Sequence, residues 1–185
     1  MNWMTQDWTT GQLNALVKNI GGDKIARGIL DGTVKFTVLK ESILNLIRTL
    51  WVSAQPAVTT SEDYFKEAGV VVMGDNFQNQ FLGLEIGASE RTEFTIRKLE
   101  KESLDRPILD ELGDKAEISA SQFKAFLAEN RRSPEWFIFY LRGRDGNLWA
   151  VDARWGSGDD GWYVGADSVG SPCGWGAGDR VVSRN

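Results

Sequence analysis

Hydrophobic positions along this chain recur first at helical spacing and then, from about residue 136, in strand alternation. Leu13, Leu16, Val17 and Ile20 share one helical face behind Thr9 and Thr10, either of which can cap, and Gly21-Gly22 stops the helix they predict. Asp23 caps a second helix with Ile25, Ile29 and Leu30 inward, ended by Asp31-Gly32. Val34 to Val38 alternates as a short strand. Glu41 to Val52 reads as a helix, its stripe formed by Ile43, Leu44, Ile47, Leu50 and Trp51. Pro56 and Thr59-Thr60-Ser61 mark a linker. Beyond it the pattern predicts a helix from Ser61 through Ala68, a buried extended segment over Val70 to Met73, and a further turn or helix that Asp75 caps.

Phe94, Ile96 and Leu99 alternate with polar residues as a half-exposed strand. Asp105 and Pro107 open a helix that ends at Gly113, and Ser119 caps another with Phe123, Phe126 and Leu127 inward, so the two read as an αα-hairpin with an acidic outer face. Strands follow: Trp136 to Arg142, a tight turn at Arg144-Asp145-Gly146-Asn147, Leu148 to Trp155, a looser turn over Gly156 to Gly161, Trp162 to Val169, and Arg180 to Arg184. Aspartate-glycine supplies the positive φ angles such a hairpin requires. The fold these elements predict is α+β: an N-terminal helical hairpin, a mixed middle, and a C-terminal antiparallel sheet of three or four strands packed on helices. The domain reading is an N-terminal helical segment over 1–58 and an α+β domain with the sheet over 59–185.

Strand parity divides the aromatic residues. Trp149, Val151, Ala153 and Trp155 share a core face, with Leu148, Ala150, Asp152 and Arg154 on the other side; Trp162, Val164 and Ala166 oppose Tyr163, Gly165 and Asp167. Residues 131–185 hold five of the eight tryptophans and seven arginines without a lysine. Indole rings beside guanidinium groups make a recognition surface when they face outward. The residues nominated for such a binding face are Trp136, Arg142, Arg144, Arg154, Tyr163 and Trp175.

Composition then narrows the chemistry. The chain has no histidine, which removes histidine-based hydrolytic triads and histidine-ligated zinc hydrolases as single-chain mechanisms. No catalytic residue, cofactor or metal ligand is assigned. Net charge is −5, and the acid lies in the middle: residues 61–130 carry eight basic and fifteen acidic groups, whereas 131–185 carry seven of each. This balance lacks the basic stripe of a duplex binder and makes nucleic acid an unlikely partner. The single Cys173, the absence of a secretory leader pattern and the lack of a long apolar run point to a cytoplasmic protein outside the membrane.

Gly156-Ser157-Gly158-Asp159-Asp160-Gly161 has the glycine spacing of a dinucleotide loop, but it joins two strands and carries two aspartates, so it reads as a hairpin turn. Cys173 has no histidine to activate it. Asp152 and Asp167, on adjacent strands, keep a carboxylate-dependent hydrolase or carbohydrate-binding protein open as an alternative, provided that they converge in a concave pocket. Lys24 and Arg27 on the second helix keep open a nucleic-acid-linked regulator. The carboxylates of 90–117 keep open an acidic DNA mimic, provided that they line one exposed face.

The run Trp136-Phe137-Ile138-Phe139-Tyr140, then Asp145-Gly146-Asn147-Leu148-Trp149-Ala150-Val151, Gly161-Trp162-Tyr163-Val164, and the ending Arg180-Val181-Val182-Ser183-Arg184-Asn185 resembles a group of small uncharacterised proteins from uncultured bacterial lineages. That resemblance implies a bacterial cytoplasmic setting and carries no activity, ligand or site. The expected function is therefore a non-catalytic binding or adaptor protein whose partner is another protein.

Overall fold

The computed structural model describes residues 10–19, 22–31 and 42–185, and the chain divides into two compact units, 1–41 and 42–185. In the first, helices α1 (Thr10–Asn19) and α2 (Asp23–Leu30) are joined through Gly22, whose φ of 88° suits glycine and whose N–H donates to the Val17 carbonyl at 2.8 Å. The strand expected over 34–38 lies outside the described residues.

The second unit corrects the expected fold class. It is built on a mixed sheet of eight strands rather than an antiparallel sheet of three or four. In chain order its elements are β1 (Leu44–Val52), β2 (Val58–Thr59), α3 (Glu62–Lys66), β3 (Val70–Met73), α4 (Asp75–Phe81), β4 (Glu85–Ile86), β5 (Thr92–Leu99), α5 (Asp105–Leu112), β6 (Glu117–Ile118), α6 (Ala120–Glu129), β7 (Trp136–Arg142), β8 (Leu148–Gly156), β9 (Gly161–Ser168) and β10 (Arg180–Arg184). The sheet runs β1-β5-β10-β7-β8-β9-β3, β6 pairs with β7 beside β10, and β2 and β4 form a separate two-stranded ribbon.

Three local expectations fail for one reason: long-range pairing overrides local periodicity. The segment read as a helix over Glu41 to Val52 is strand β1 from Leu44 onward, paired antiparallel with β5 from Leu44↔Leu99 to Val52↔Thr92. Six of its nine residues are apolar, a density that fits either period, and the partner strand decides. Strand β10 is no fourth member of a meander. It enters between β5, to which it is antiparallel, and β7, to which it is parallel. Helices α5 and α6 do not form an αα-hairpin either, because β6 joins the sheet between them and sends them to opposite faces.

On the first face α6, α3 and α4 bury a phenylalanine cluster against the sheet. Ser119 and Gln122 form a reciprocal capping box at the start of α6, which fixes where the helix begins. Phe123 and Phe126 then meet Phe137 and Phe139 edge-on at 4.9–5.1 Å. Trp162, fully buried, donates its indole N–H to the Leu127 carbonyl at 3.0 Å.

The second face is covered only in part. Ile108 and Leu112 of α5 pack on Ile138, Tyr140 and Val181. The cover is pinned by Asp105, 3% exposed, which accepts hydrogen bonds from the Tyr140 hydroxyl at 2.9 Å and the Trp175 indole at 2.7 Å. Burial, with Asp105 beside it, pushes the Tyr140 hydroxyl well above the ordinary tyrosine range. Glu111, on the same helix, accepts from the Ile43 and Leu44 amides at 2.9 and 3.3 Å and ties the start of β1 to α5.

Replacing Asp105 by alanine leaves the Tyr140 and Trp175 donors without their acceptor. Urea denaturation is expected to show a loss of about 3 kcal/mol at unchanged m-value. Asp105→Asn, which retains an acceptor, is expected to lose less than half as much.

Candidate binding face

Where the α5 cover ends, three adjacent strands set Trp136, Arg154 and Tyr163 in one row, Trp136↔Arg154 across β7–β8 and Arg154↔Tyr163 across β8–β9. Directly opposed residues project to the same side of a sheet, so their side chains meet. The Arg154 guanidinium carbon lies 5.5 Å from the Trp136 ring centroid and 5.4 Å from that of Tyr163. Both rings attract the cation through their negative faces. Arg154 is exposed, and among the described residues its guanidinium has no hydrogen-bond acceptor and no ion-pair partner. Trp136 is 42% exposed, and Val72, aligned with Tyr163 on edge strand β3, extends the row with another 44% exposed side chain.

The next row places Asp152 between Ile138 and Gly165. The Trp136 indole donates to Asp152 Oδ2 at 3.2 Å. Gly165 is needed here because a Cβ at that position would overlap Asp152 Oδ1, so the carboxyl group lies over bare backbone. Burial raises the Asp152 pKa above the ordinary aspartate value; the Trp136 hydrogen bond and, more weakly, the Arg154 charge oppose this, and the Asp167 charge adds to it. Asp167, exposed and opposite Ala150, is the diagonal neighbour of Asp152.

Tyr163 is held on its other side. Its hydroxyl donates to Asp159, a bond that raises the tyrosine pKa, and its ring lies over Gly156, where a Cβ would collide with it. The same end of the sheet carries Arg132 (φ 64°) and Asp160 (φ 47°), the two positive-φ residues other than glycine among those described. They form a two-bonded ion pair at 3.0 and 3.1 Å that ties the α6–β7 connection to the β8–β9 turn.

The remaining nominated residues lie elsewhere. Arg142, at the far end of β7, is clamped to Glu117 by two bonds of 3.0 and 2.5 Å and donates to the Gly146 carbonyl at 2.8 Å. Arg144 is exposed on the hairpin tip beside Gly83. Trp175 is half-buried and directs its indole N–H at Asp105. The structure thus unites Trp136, Arg154 and Tyr163 and separates Arg142, Arg144 and Trp175 from them. Asp152, Gly165, Gly156, Asp159 and Val72 were not nominated. Parity already put Asp152 and Gly165 on the side of Arg154 and Tyr163; the register that makes them neighbours has no local signature.

A cleft of about 1000 Å³ opens at the Arg142 end, among Leu84, Ile86, Ile118 and Leu148. Its chief polar groups are engaged internally: Arg142 with Glu117, Ser119 with the Gln122 amide, and the Gln122 side chain with Thr92. Neither Asp152 nor Asp167 lines it. The acidic run 90–117 is likewise dispersed, with Asp105 buried, Asp110 paired with Arg106, Glu111 on the backbone of β1 and Glu117 on Arg142. Among the described residues there is no helix long and apolar enough to cross a membrane and no acidic or cysteine cluster suited to a metal ion.

Asp152 holds its proton more tightly in the folded than in the unfolded chain, so its ionisation opposes folding. The stability it contributes is full below the ordinary aspartate pKa and declines as pH rises through the raised value. Asp152→Asn is therefore expected to unfold at a higher temperature than wild type at pH 7, with the difference closing at about pH 3. Gly165→Ala, which overpacks the carboxyl, is expected to lose about 2 kcal/mol at pH 7. Thermal and urea unfolding followed across pH check both.

No protein-family model matches the chain, and neither a curated protein nor a solved structure matches it.

Proposed function

We propose that the protein is a non-catalytic binding module that recognises another protein through the open end of its sheet, with Trp136, Arg154 and Tyr163 at the centre of the contact. The observation that carries this reading is the Arg154 guanidinium, exposed, set over two aromatic rings and without a hydrogen-bond acceptor among the described residues. Tryptophan, tyrosine and arginine are the side chains that dominate protein interfaces, because they bring large rigid contact area and directional donors together. Here all three stand on regular strands. The Gly156 and Gly165 backbones and the Asp159 and Asp152 acceptors orient them before any partner arrives, which reduces the ordering needed on association. The site of action on this reading is the cytoplasm, where an exposed Cys173 stays reduced.

Immobilised wild-type protein is expected to retain a partner from a native lysate that the double variant Trp136→Ala/Arg154→Ala does not. Truncating two central anchors corresponds to at least a thirtyfold loss of affinity, on the order of 2 kcal/mol or more. Arg144→Ala, on the hairpin tip, serves as the control and is expected to retain the partner. Equal retention by the double variant, with its unfolding midpoint unchanged, refutes the assignment of this face.

A further inference from the structure

The charges on the open face are arranged in a way that specifies the partner's chemistry, if the binding reading above is accepted as the starting point. Along β8 the face presents Arg154 and, two residues earlier, Asp152. Residues two apart on a strand project to the same side at about 7 Å spacing. The two feel each other's charge along the strand, but among the described residues neither is in an ion pair within 4 Å, and the one side-chain hydrogen-bond donor to Asp152 is the uncharged Trp136 indole. Asp167, which adds a second negative charge beside Asp152, also has no ion-pair partner among the described residues. The face is therefore dipolar, with a positive row between aromatic rings and a negative row over the Gly165 backbone.

We infer that the face receives an extended protein segment carrying one acidic and one basic side chain two positions apart, the acidic one over Arg154 and the basic one over Asp152 and Asp167. An extended chain repeats its side chains at the same spacing as β8, so both charges are met at once without bending the ligand. The two rings attract the Arg154 cation without accepting its N–H groups in hydrogen bonds, which leaves those groups to grip a carboxylate in the two-bonded manner. Gly165 removes the side chain that would otherwise close off Asp152, and a basic side chain settling there relieves the repulsion between the two carboxylates. The alkyl stem of a lysine or arginine has Trp136 and Tyr163 alongside to pack on.

The test uses the full chain and three blocked pentapeptides of threonine background, bearing Glu and Lys, Glu and Glu, or Lys and Lys at the second and fourth positions. Binding is read from the NMR shifts of the Trp136 indole N–H and the Arg154 guanidinium Nε–H, each assigned by substitution. The mixed peptide is expected to bind about threefold to fivefold more tightly than either like-charged one, the increment of one exposed ion pair. In Arg154→Glu the order is expected to change so that the Lys-Lys peptide binds best.

A like-charged peptide binding wild type as tightly as the mixed one overturns the inference. So does an order unchanged by Arg154→Glu, or no movement of the Trp136 indole with any peptide at about 10 mM, where millimolar binding would register. A larger response to an oligo-dT strand, lost in Arg154→Glu, would assign the rings to base stacking and overturn it as well. Should the peptides fail to discriminate while the Trp136→Ala/Arg154→Ala protein still loses its lysate partner, the face remains the binding surface and only the charge assignment falls.

Discussion

How much of the second sheet face is left bare is decided at Asp105. One carboxyl group takes the hydroxyl of Tyr140 from the middle of β7 and the indole of Trp175 from the loop before β10, and so holds α5 and that loop over the same few strand residues. Hydrogen bonds to a buried carboxyl are among the stronger ones a protein makes, and they are directional. The cover is thereby anchored at Tyr140. The row of Trp136, four residues back along β7, stays outside it. The first face has no such boundary, because α6 with α3 and α4 lays phenylalanine rings across its whole core.

What remains outside the cover is not a leftover patch of apolar surface. Trp136, Arg154 and Tyr163 hold one another by ring and cation contacts, and the neighbouring glycines are placed where a larger residue would push Tyr163 or Asp152 out of line. The desolvated Asp152 is a small destabilising element retained in that setting. The paired left-handed residues Arg132 and Asp160 lie at the same end of the sheet.

Much of this was legible from residues one and two apart. Alternation in β8 and β9 separates Val151, Ala153, Trp162 and Val164, which are buried, from Asp152, Arg154, Tyr163 and Asp167, which share the other side. Asp145-Gly146 marks the hairpin, and Ser119 the start of α6. Nothing local distinguishes Arg154, which faces outward with no ion pair among the described residues, from Arg142, which closes on Glu117 twenty-five positions away in sequence. The same holds for Trp175 against Trp136, since the partner of the first lies seventy positions upstream. Strand β1 is the clearest case: its apolar density satisfies a helix as readily as a strand, and the choice belongs to β5. Parallel neighbours such as β10 and β7 leave no hairpin turn to read.

The central position of β10 has a consequence for how the molecule comes to be made. Residues 180–184 are the common neighbour of β5 and β7, so until they emerge from the ribosome the sheet exists as two separate halves, each with a raw edge. Closure joins segments more than forty residues apart on one side and more than eighty on the other, the type of distant contact that slows folding. Unpaired strand edges of this kind are the ones that pair with a neighbouring molecule, and the docking of β10 removes both at once.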